Sequence, residues 1–254
     1  CHQPRLDLVP PAPGNNALPP RPGRRHCLVP SQIAGEVVRE RIIAAAVEFA
    51  ASVHYDNIGT FEFLVPRDGT FAFIEANPRL QIEHTVTEAG TGVDIVCAQI
   101  RLAEGATLRE LDLDTPPRPR GYAIQVRVNM ERMNADGSVV PAGGTLTAFE
   151  PPSGPGIRTD TFGYSGYATS ARYDSLLAKV IGHSPRGDFA SAAAATYRAL
   201  GEFRIEGVAT NVAFLQNLLT HPKFVAGDLH TRFVDAEAAA LVAPAQHDRR
   251  FFGA

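Results

Sequence analysis

GTFEFLVPRDGTFAFIEANPRLQIEHTVTE, residues 59–88, is the stretch whose reading decides the fold. Polar and apolar positions alternate through Thr60–Val65 and Thr70–Ala76, which predicts two strands. Pro66-Arg67-Asp68-Gly69 between them suits a tight turn. Pairing Val65 with Thr70 sets Glu62 opposite Phe73 and Glu75 opposite Thr60. Both glutamates then share one face as diagonal neighbours, roughly 7–8 Å apart at the backbone. Two carboxylates that close repel unless positive charge lies between them, and a divalent cation is the natural candidate.

The alternation runs on past the hairpin. Glu75, Asn77, Arg79, Gln81 and Glu83 share one parity, and Ala76, Pro78, Leu80 and Ile82 the other. An extended segment would display a strip of carboxylate, amide and guanidinium groups over an apolar back. A solvated edge strand would alternate in the same way; it accounts for Arg79 and Gln81 but poorly for the paired glutamates. Thr85-Val86-Thr87-Glu88 spells a capping box, giving Glu88 a structural role. A helix is expected from about Val93 to Glu104, closed by Gly105, with Cys97 packed in the core.

Upstream, residues 1–33 are dense in proline and glycine and predict an irregular, surface-wrapping lead-in. Helical spacing of Ile33, Val37, Val38, Ile42, Ile43, Ala46 and Phe49 then predicts a helix from Ser31, its N-cap, to about Asp56. Downstream, Leu108 to Gly121 reads as a linker, followed by a β-rich unit. Tyr122–Met130 places Gln125, Arg127 and Asn129 on one face and Ile124, Val126 and Val128 on the other. Further strands are expected at Thr145–Glu150, Ile157–Phe162 and Leu176–Ile181, then helices at Asp188–Phe203 and Asn211–Leu219, the second capped by Thr210 or Asn211. Asp174 and Lys179 are expected to pair, and the chain after Ala236 to end as a fraying helix and tail.

Composition narrows the function classes. A net charge of −3 predicts no bulk attraction to nucleic acid or to anionic membrane. No run approaches the roughly 18 apolar residues needed to span a bilayer. Cys1, Cys27 and Cys97 form no CxxC pair, which argues against a disulfide framework and makes a reducing cytoplasm the default compartment. The chain begins at Cys1 and reads as cut from something longer. Lysine stands only at Lys179 and Lys223, with arginine supplying the other 22 cations.

The string FEFLVPRDGTFAFIEANPRLQIEHTVTE, with GVDIVCAQIRLAEG behind it, is similar to the biotin carboxylase family of ATP-grasp enzymes. GYAIQVRVN, PAGGTLTAFEPPSGPGIR, GYATSARYDSLLAKVI and FRIEGVATNVAFLQNLL extend the match, which covers about Ile33 to Asp235 in order. The wording resembles carboxylase subunits of the acyl-CoA and pyruvate carboxylase group. The implied fold is α+β: the second half of an ATP-grasp domain over 33–117, a β-rich biotin carboxylase C-terminal domain with helices over 118–235, and flanking segments 1–32 and 236–254.

The resemblance also implies roles. Glu62 and Glu75 match carboxylates that hold Mg2+ (or Mn2+) and ATP, with Asn77 beside them as a further metal ligand. Arg79, Gln81 and Ile82 match bicarbonate-binding residues, where guanidinium and amide grip a small anion. Glu83 matches the general base that deprotonates bicarbonate, and Arg127 the residue that stabilises the enolate of biotin. Arg158 matches a dimer-interface position, implying a homodimer. Biotin would arrive on a separate carrier domain, with a carboxyltransferase as the further partner. The family's biotin-entry motif survives at most as Cys1-His2-Gln3-Pro4-Arg5, with Arg5 in place of a lysine.

One departure limits the expectation. Such a site needs phosphate-binding lysines and a flexible glycine-rich loop, and neither precedes the central stretch. The chain is therefore expected to lack the N-terminal biotin carboxylase part and to be inactive alone. The competing expectations are a non-catalytic dimerisation or scaffolding remnant, and an ATP-grasp ligase of other specificity such as a carbamoyl-phosphate synthase relative.

Overall fold

The computed structural model describes residues 5–7, 26–29, 36–66, 68–134, 136–170, 172, 174–229, 233–244 and 247. The first half contributes strands β1 (Arg5–Asp7) and β2 (His26–Val29), helix α1 (Glu36–Ser52), strands β3 (Thr60–Leu64) and β4 (Ala72–Asn77), and helices α2 (His84–Thr91) and α3 (Ile95–Ala103). The second half begins with strands β5 (Tyr122–Asn129), β6 (Glu131–Met133), β7 (Val139–Pro141), β8 (Ala148–Glu150), β9 (Ile157–Thr161) and β10 (Leu176–Ser184). It continues through α4 (Phe189–Glu202), β11 (Arg204–Glu206), α5 (Val212–Thr220), α6 (Pro222–Val225), α7 (Phe233–Ala236) and α8 (Ala238–Val242).

The predicted hairpin is the middle and edge of a sheet ordered β1-β3-β4. One face of β3 and β4 buries Phe61, Phe63 and Val65 against Ile42 and Ala46 of α1. Phe49 of α1 stacks on Phe73 at 5.0 Å. The turn is built as its residues predict: Gly69 donates to the Pro66 carbonyl, and Asp68 accepts from the backbone and hydroxyl of Thr70.

The register differs from the expected one. Thr60 faces Asn77 and Glu62 faces Glu75 directly, while Phe63 faces Phe73. The two halves of the ladder are reconciled by a bulge that leaves Ile74 as the extra residue on β4. In a regular strand Phe73 and Glu75 would share a face. The bulge sends Phe73 to the aromatic cluster and Glu75 to the side of Glu62.

The second sheet, ordered β2-β5-β10-β9, is the centre of the molecule. Its back face offers Ile124, Val126, Val128, Ala178 and Val180 to a large apolar core completed by α4 and α5. Ala192, Ala193 and Ala199 on α4 carry little side chain and let the helix lie close to the sheet. The front face carries Gln125, Arg127 and Asn129, and it is covered rather than solvated: Gln125 and Asn129 are buried. Helix α2 lies across it.

Several local expectations are corrected. The lead-in, read as irregular, contributes β1 and β2; β1 pairs with β3, and β2 with β5. The start of the long helix at Ser31 lies outside the described residues, as do His2 and Gln3. The polar strip is not extended beyond Asn77: Pro78 has no N–H to offer a ladder, and Arg79 N donates back to Asn77 O at 2.8 Å. Thr85 lies inside α2 and bonds Gln125 instead of capping, and Glu83 takes the N-cap position. Asn211 uses its side chain on β5 rather than as a cap, accepting from Asn129 N at 2.9 Å and donating to Arg127 O at 3.1 Å. Cys97 is exposed, not core. Asp174 pairs with Arg127, not with Lys179. After Ala236 the chain packs rather than frays, with Leu241 of α8 fully buried.

Candidate active site

Two constellations emerge from residues 59–88 and the front of the central sheet. The first is the glutamate pair. Direct opposition in the register brings the carboxylates together, and both accept from the same amide: Asn77 Nδ2 stands 3.0 Å from Glu62 Oε1 and 3.1 Å from Glu75 Oε1. Glu62 is buried at 2% exposure, whereas Glu75 is exposed. Two converging carboxylate oxygens with an amide that can turn its own oxygen inward form a hard, all-oxygen donor set suited to Mg2+. No group of three or more His, Cys, Asp or Glu able to hold a metal occurs among the described residues. Mg2+ needs none, since it takes one or two carboxylates together with phosphate and water.

The second constellation is the turn between β4 and α2. Leu80 anchors it in a small apolar cluster with Ile58, Ile95, Ala98 and Leu113. Arg79 is exposed and holds its guanidinium 3.4 Å from the Leu80 carbonyl. Gln81 and Glu83 turn inward and are buried. The Ile82 carbonyl accepts from Lys179 Nζ at 3.5 Å, which ties the turn to β10. Lys179 is the cross-strand neighbour of Arg127, so the turn lies beside that arginine. Arg127 has an 11% exposed side chain, contacts Asp174 at 3.3 Å, and leaves a buried Nε with no protein partner.

Behind the turn an ionic chain locks α2 to the sheet. Glu88 Oε2 receives Arg158 Nη1 at 2.5 Å, its Oε1 receives the Ile95 N–H at 2.9 Å, and His84 Nδ1 stands 3.0 Å from the same oxygen. Arg158 also holds Asp160 at 2.8 Å, and Asp160 holds Lys179 at 3.0 Å. Glu88 is thus structural, as expected, but through ion pairs and not a capping box. Burial alone would raise its pKa; His84, Arg158 and the Ile95 N–H outweigh burial and bring it down to about 2. Asp160 is likewise lowered, with burial opposed by Arg158 and Lys179. Lys179 had been assigned only a pairing role with Asp174. Its signal was a cation interrupting the apolar run Leu176–Ile181.

A pH dependence follows from Glu88. A carboxyl lowered from 4.5 to about 2 stabilises the fold fully above the unfolded value and loses that contribution as pH falls towards 2. The expected loss is about 2 kcal/mol once solvent screening at Arg158 is allowed for. Urea unfolding of the wild type and of Glu88→Gln at pH 7 and pH 3 measures it. The gap between the two proteins should narrow at the lower pH.

Residues 125–236 match the biotin carboxylase C-terminal domain family, and residues 14–111 the carbamoyl-phosphate synthase L chain ATP-binding domain family. Mitochondrial pyruvate carboxylase from Homo sapiens is 47% identical over 200 residues, 78% of this chain and 17% of that protein. Pyruvate carboxylase from Aspergillus niger is 46% identical over 211 residues, again 17% of its length. The chain belongs to the biotin carboxylase family.

Solved biotin carboxylases superpose on it throughout. A single-chain, multi-domain long-chain acyl-CoA carboxylase matches 97% of the chain with a TM-score of 0.90 and 38% identity, over 27% of its own length. The biotin carboxylase domain of a single-chain bacterial carboxylase matches 95% of the chain at 0.86 and 40% identity, over 56% of that domain. The dimeric biotin carboxylase domain of Hydrogenobacter thermophilus 2-oxoglutarate carboxylase, solved with MgADP and bicarbonate, matches at 0.86 and 30% identity, over 54% of its length. The chain therefore spans about 17% of the curated relatives and somewhat over half of the isolated biotin carboxylase domains. The fold is the mixed helix and sheet of these biotin carboxylases. Among the described residues no helix is long and apolar enough to cross a membrane.

Proposed function

We propose that this biotin carboxylase family chain supplies the metal, bicarbonate and biotin-enolate residues for ATP-dependent carboxylation of biotin. The observation that carries this reading is the convergence of Glu62 and Glu75 on Asn77 Nδ2. These three residues would hold Mg2+, whose chemistry is to bridge and neutralise nucleotide phosphates. Arg79 and Gln81, with the Ile82 backbone, grip bicarbonate on the turn that follows. Glu83 takes the bicarbonate proton, freeing an oxygen nucleophile for phosphoryl transfer, which yields carboxyphosphate and ADP. Arg127 faces the enolate oxygen that develops on biotin as the carboxyl group is transferred; its buried, unpartnered Nε supports a role towards an incoming oxygen.

Biotin would come on a carrier domain, with a carboxyltransferase consuming the carboxylated product and a second copy completing a homodimer. The phosphate-gripping lysines would come from outside residues 1–178, which contain none. A reducing, cytoplasm-like compartment suits the exposed thiol of Cys97.

Calorimetric titration with Mg-ADP tests the reading. The wild-type chain should bind, and Glu75→Gln should weaken binding at least tenfold, about 1.4 kcal/mol or more, since an amide replaces one of two anionic ligands. Binding by neither protein, or equal binding by both, would favour a scaffold that keeps the fold without the chemistry.

A further inference from the structure

The turn that carries Gln81, Ile82 and Glu83 is held from two directions, and both holds belong to one continuous set of ion pairs. At its far end, Glu88 fixes the middle of α2 to Arg158 on β9. Arg158 passes to Asp160 two residues along the same strand, and Asp160 passes across to Lys179 on β10. Lys179 then reaches back over the sheet to the carbonyl of Ile82, three residues before Thr85 of α2. The chain of contacts closes on itself: α2 and the turn that launches it are pinned to the same two strands.

Lys179 is the link in this ring that touches the turn. Its side chain is 12% exposed, and its ammonium is neutralised by Asp160 at 3.0 Å, so it adds no net charge to the face. A cation so neutralised is poorly placed to bind an anion itself, but well placed to orient a carbonyl through a charge-assisted contact. The Ile82 peptide lies between Gln81 and Glu83, so its orientation fixes where both side chains point. Register places Lys179 directly across from Arg127, so a single strand pair sets the spacing between the turn and that arginine.

We infer that Lys179 is a positioning residue, which orients the Gln81–Glu83 turn relative to Arg127 by holding the Ile82 carbonyl, with Asp160 fixing its ammonium in place. This rests on the proposed bicarbonate role of the turn, but its geometric half can be tested without it.

Hydrogen exchange supplies that test. His84 N–H donates to Gln81 O and Val86 N–H to Glu83 O, each at 3.2 Å, and both report on the turn. Lys179→Met should speed exchange of these amides at least tenfold and leave α4 amides unchanged. Lys179→Arg should restore protection. Asp160→Asn, which keeps the lysine but removes its anchor, should give an intermediate effect, and it serves if the methionine variant unfolds. Unchanged exchange at His84 and Val86 in both Lys179→Met and Asp160→Asn would overturn the inference.

Bicarbonate titration in the presence of Mg-ADP separates positioning from mere support. Lys179→Met should raise the bicarbonate Kd at least tenfold while moving the Mg-ADP Kd less than twofold. Altered exchange with unaltered bicarbonate affinity also overturns the positioning role. If the wild type binds neither ligand yet its exchange responds as stated, the geometric inference stands and the proposed function fails.

Discussion

Replacing Gly121 with alanine is expected to cost about 3 kcal/mol, the largest effect foreseen for a single methyl group in this chain. Gly121 joins the 108–121 segment to β5 with φ at 66°, a left-handed conformation that costs an alanine about 1–2 kcal/mol. A Cβ there would also overlap the Ser184 carbonyl and come within 2.7 Å of Pro185 Cα. Those atoms are backbone at the end of β10, so relief requires moving the strand, adding typically 1–3 kcal/mol. Gly105 provides the contrast: its φ is 95°, but nothing lies within 4 Å of its would-be Cβ. Gly105→Ala should cost only about 1 kcal/mol. Chemical denaturation of the two variants beside the wild type reads the difference. Equal losses would show that conformation alone, and not the close approach of β10, governs Gly121.

Arg158→Met is expected to destabilise the chain by about 2–3 kcal/mol. Removing the guanidinium leaves Glu88 buried with its strongest partner gone, and also uncouples Asp160 from Glu88. The figure sits below that for a fully buried pair because the Arg158 side chain is 44% exposed and partly screened. A double-mutant cycle with Glu88→Gln isolates the pair, with an expected coupling of about 1–2 kcal/mol. Urea unfolding at low and high salt measures it. Losses that simply add would mean that α2 is held to the sheet by packing alone.

The sequence disclosed the chemistry of the site more fully than its shape. Period-two alternation was enough to put Glu62 and Glu75 on one face of a hairpin, because a strand has only two faces. It could not disclose the bulge at Ile74, since an inserted residue leaves the pattern of residue types intact while shifting the pairing behind it. The same blindness stretched the alternation through Arg79, Gln81 and Glu83. The polar and apolar residues still take turns there, but Pro78 and the contact from Arg79 N to Asn77 O fold the segment into a turn. Glu88 looked like half of a capping box because the spacing to Thr85 fits one. Its real partners, Arg158 and His84, are distant in sequence or one helical turn away, and only tertiary packing brings them in. Helices α3 and α4 were legible almost to the residue because Asp94 and Asp188 cap them locally.

The two faces of the β2-β5-β10-β9 sheet should record mutation differently as lineages diverge. Behind the sheet, Val126, Val128 and Val180 meet only hydrocarbon, so one aliphatic can replace another with small penalties and each position can drift independently. In front, Glu88, Arg158, Asp160 and Lys179 answer to one another, and any one changed alone strands a charge. Exchanges there should arrive as matched sets or not at all. Buried hydrocarbon and buried charge thus give one slab of backbone a permissive side and a side where history is written in compensating pairs.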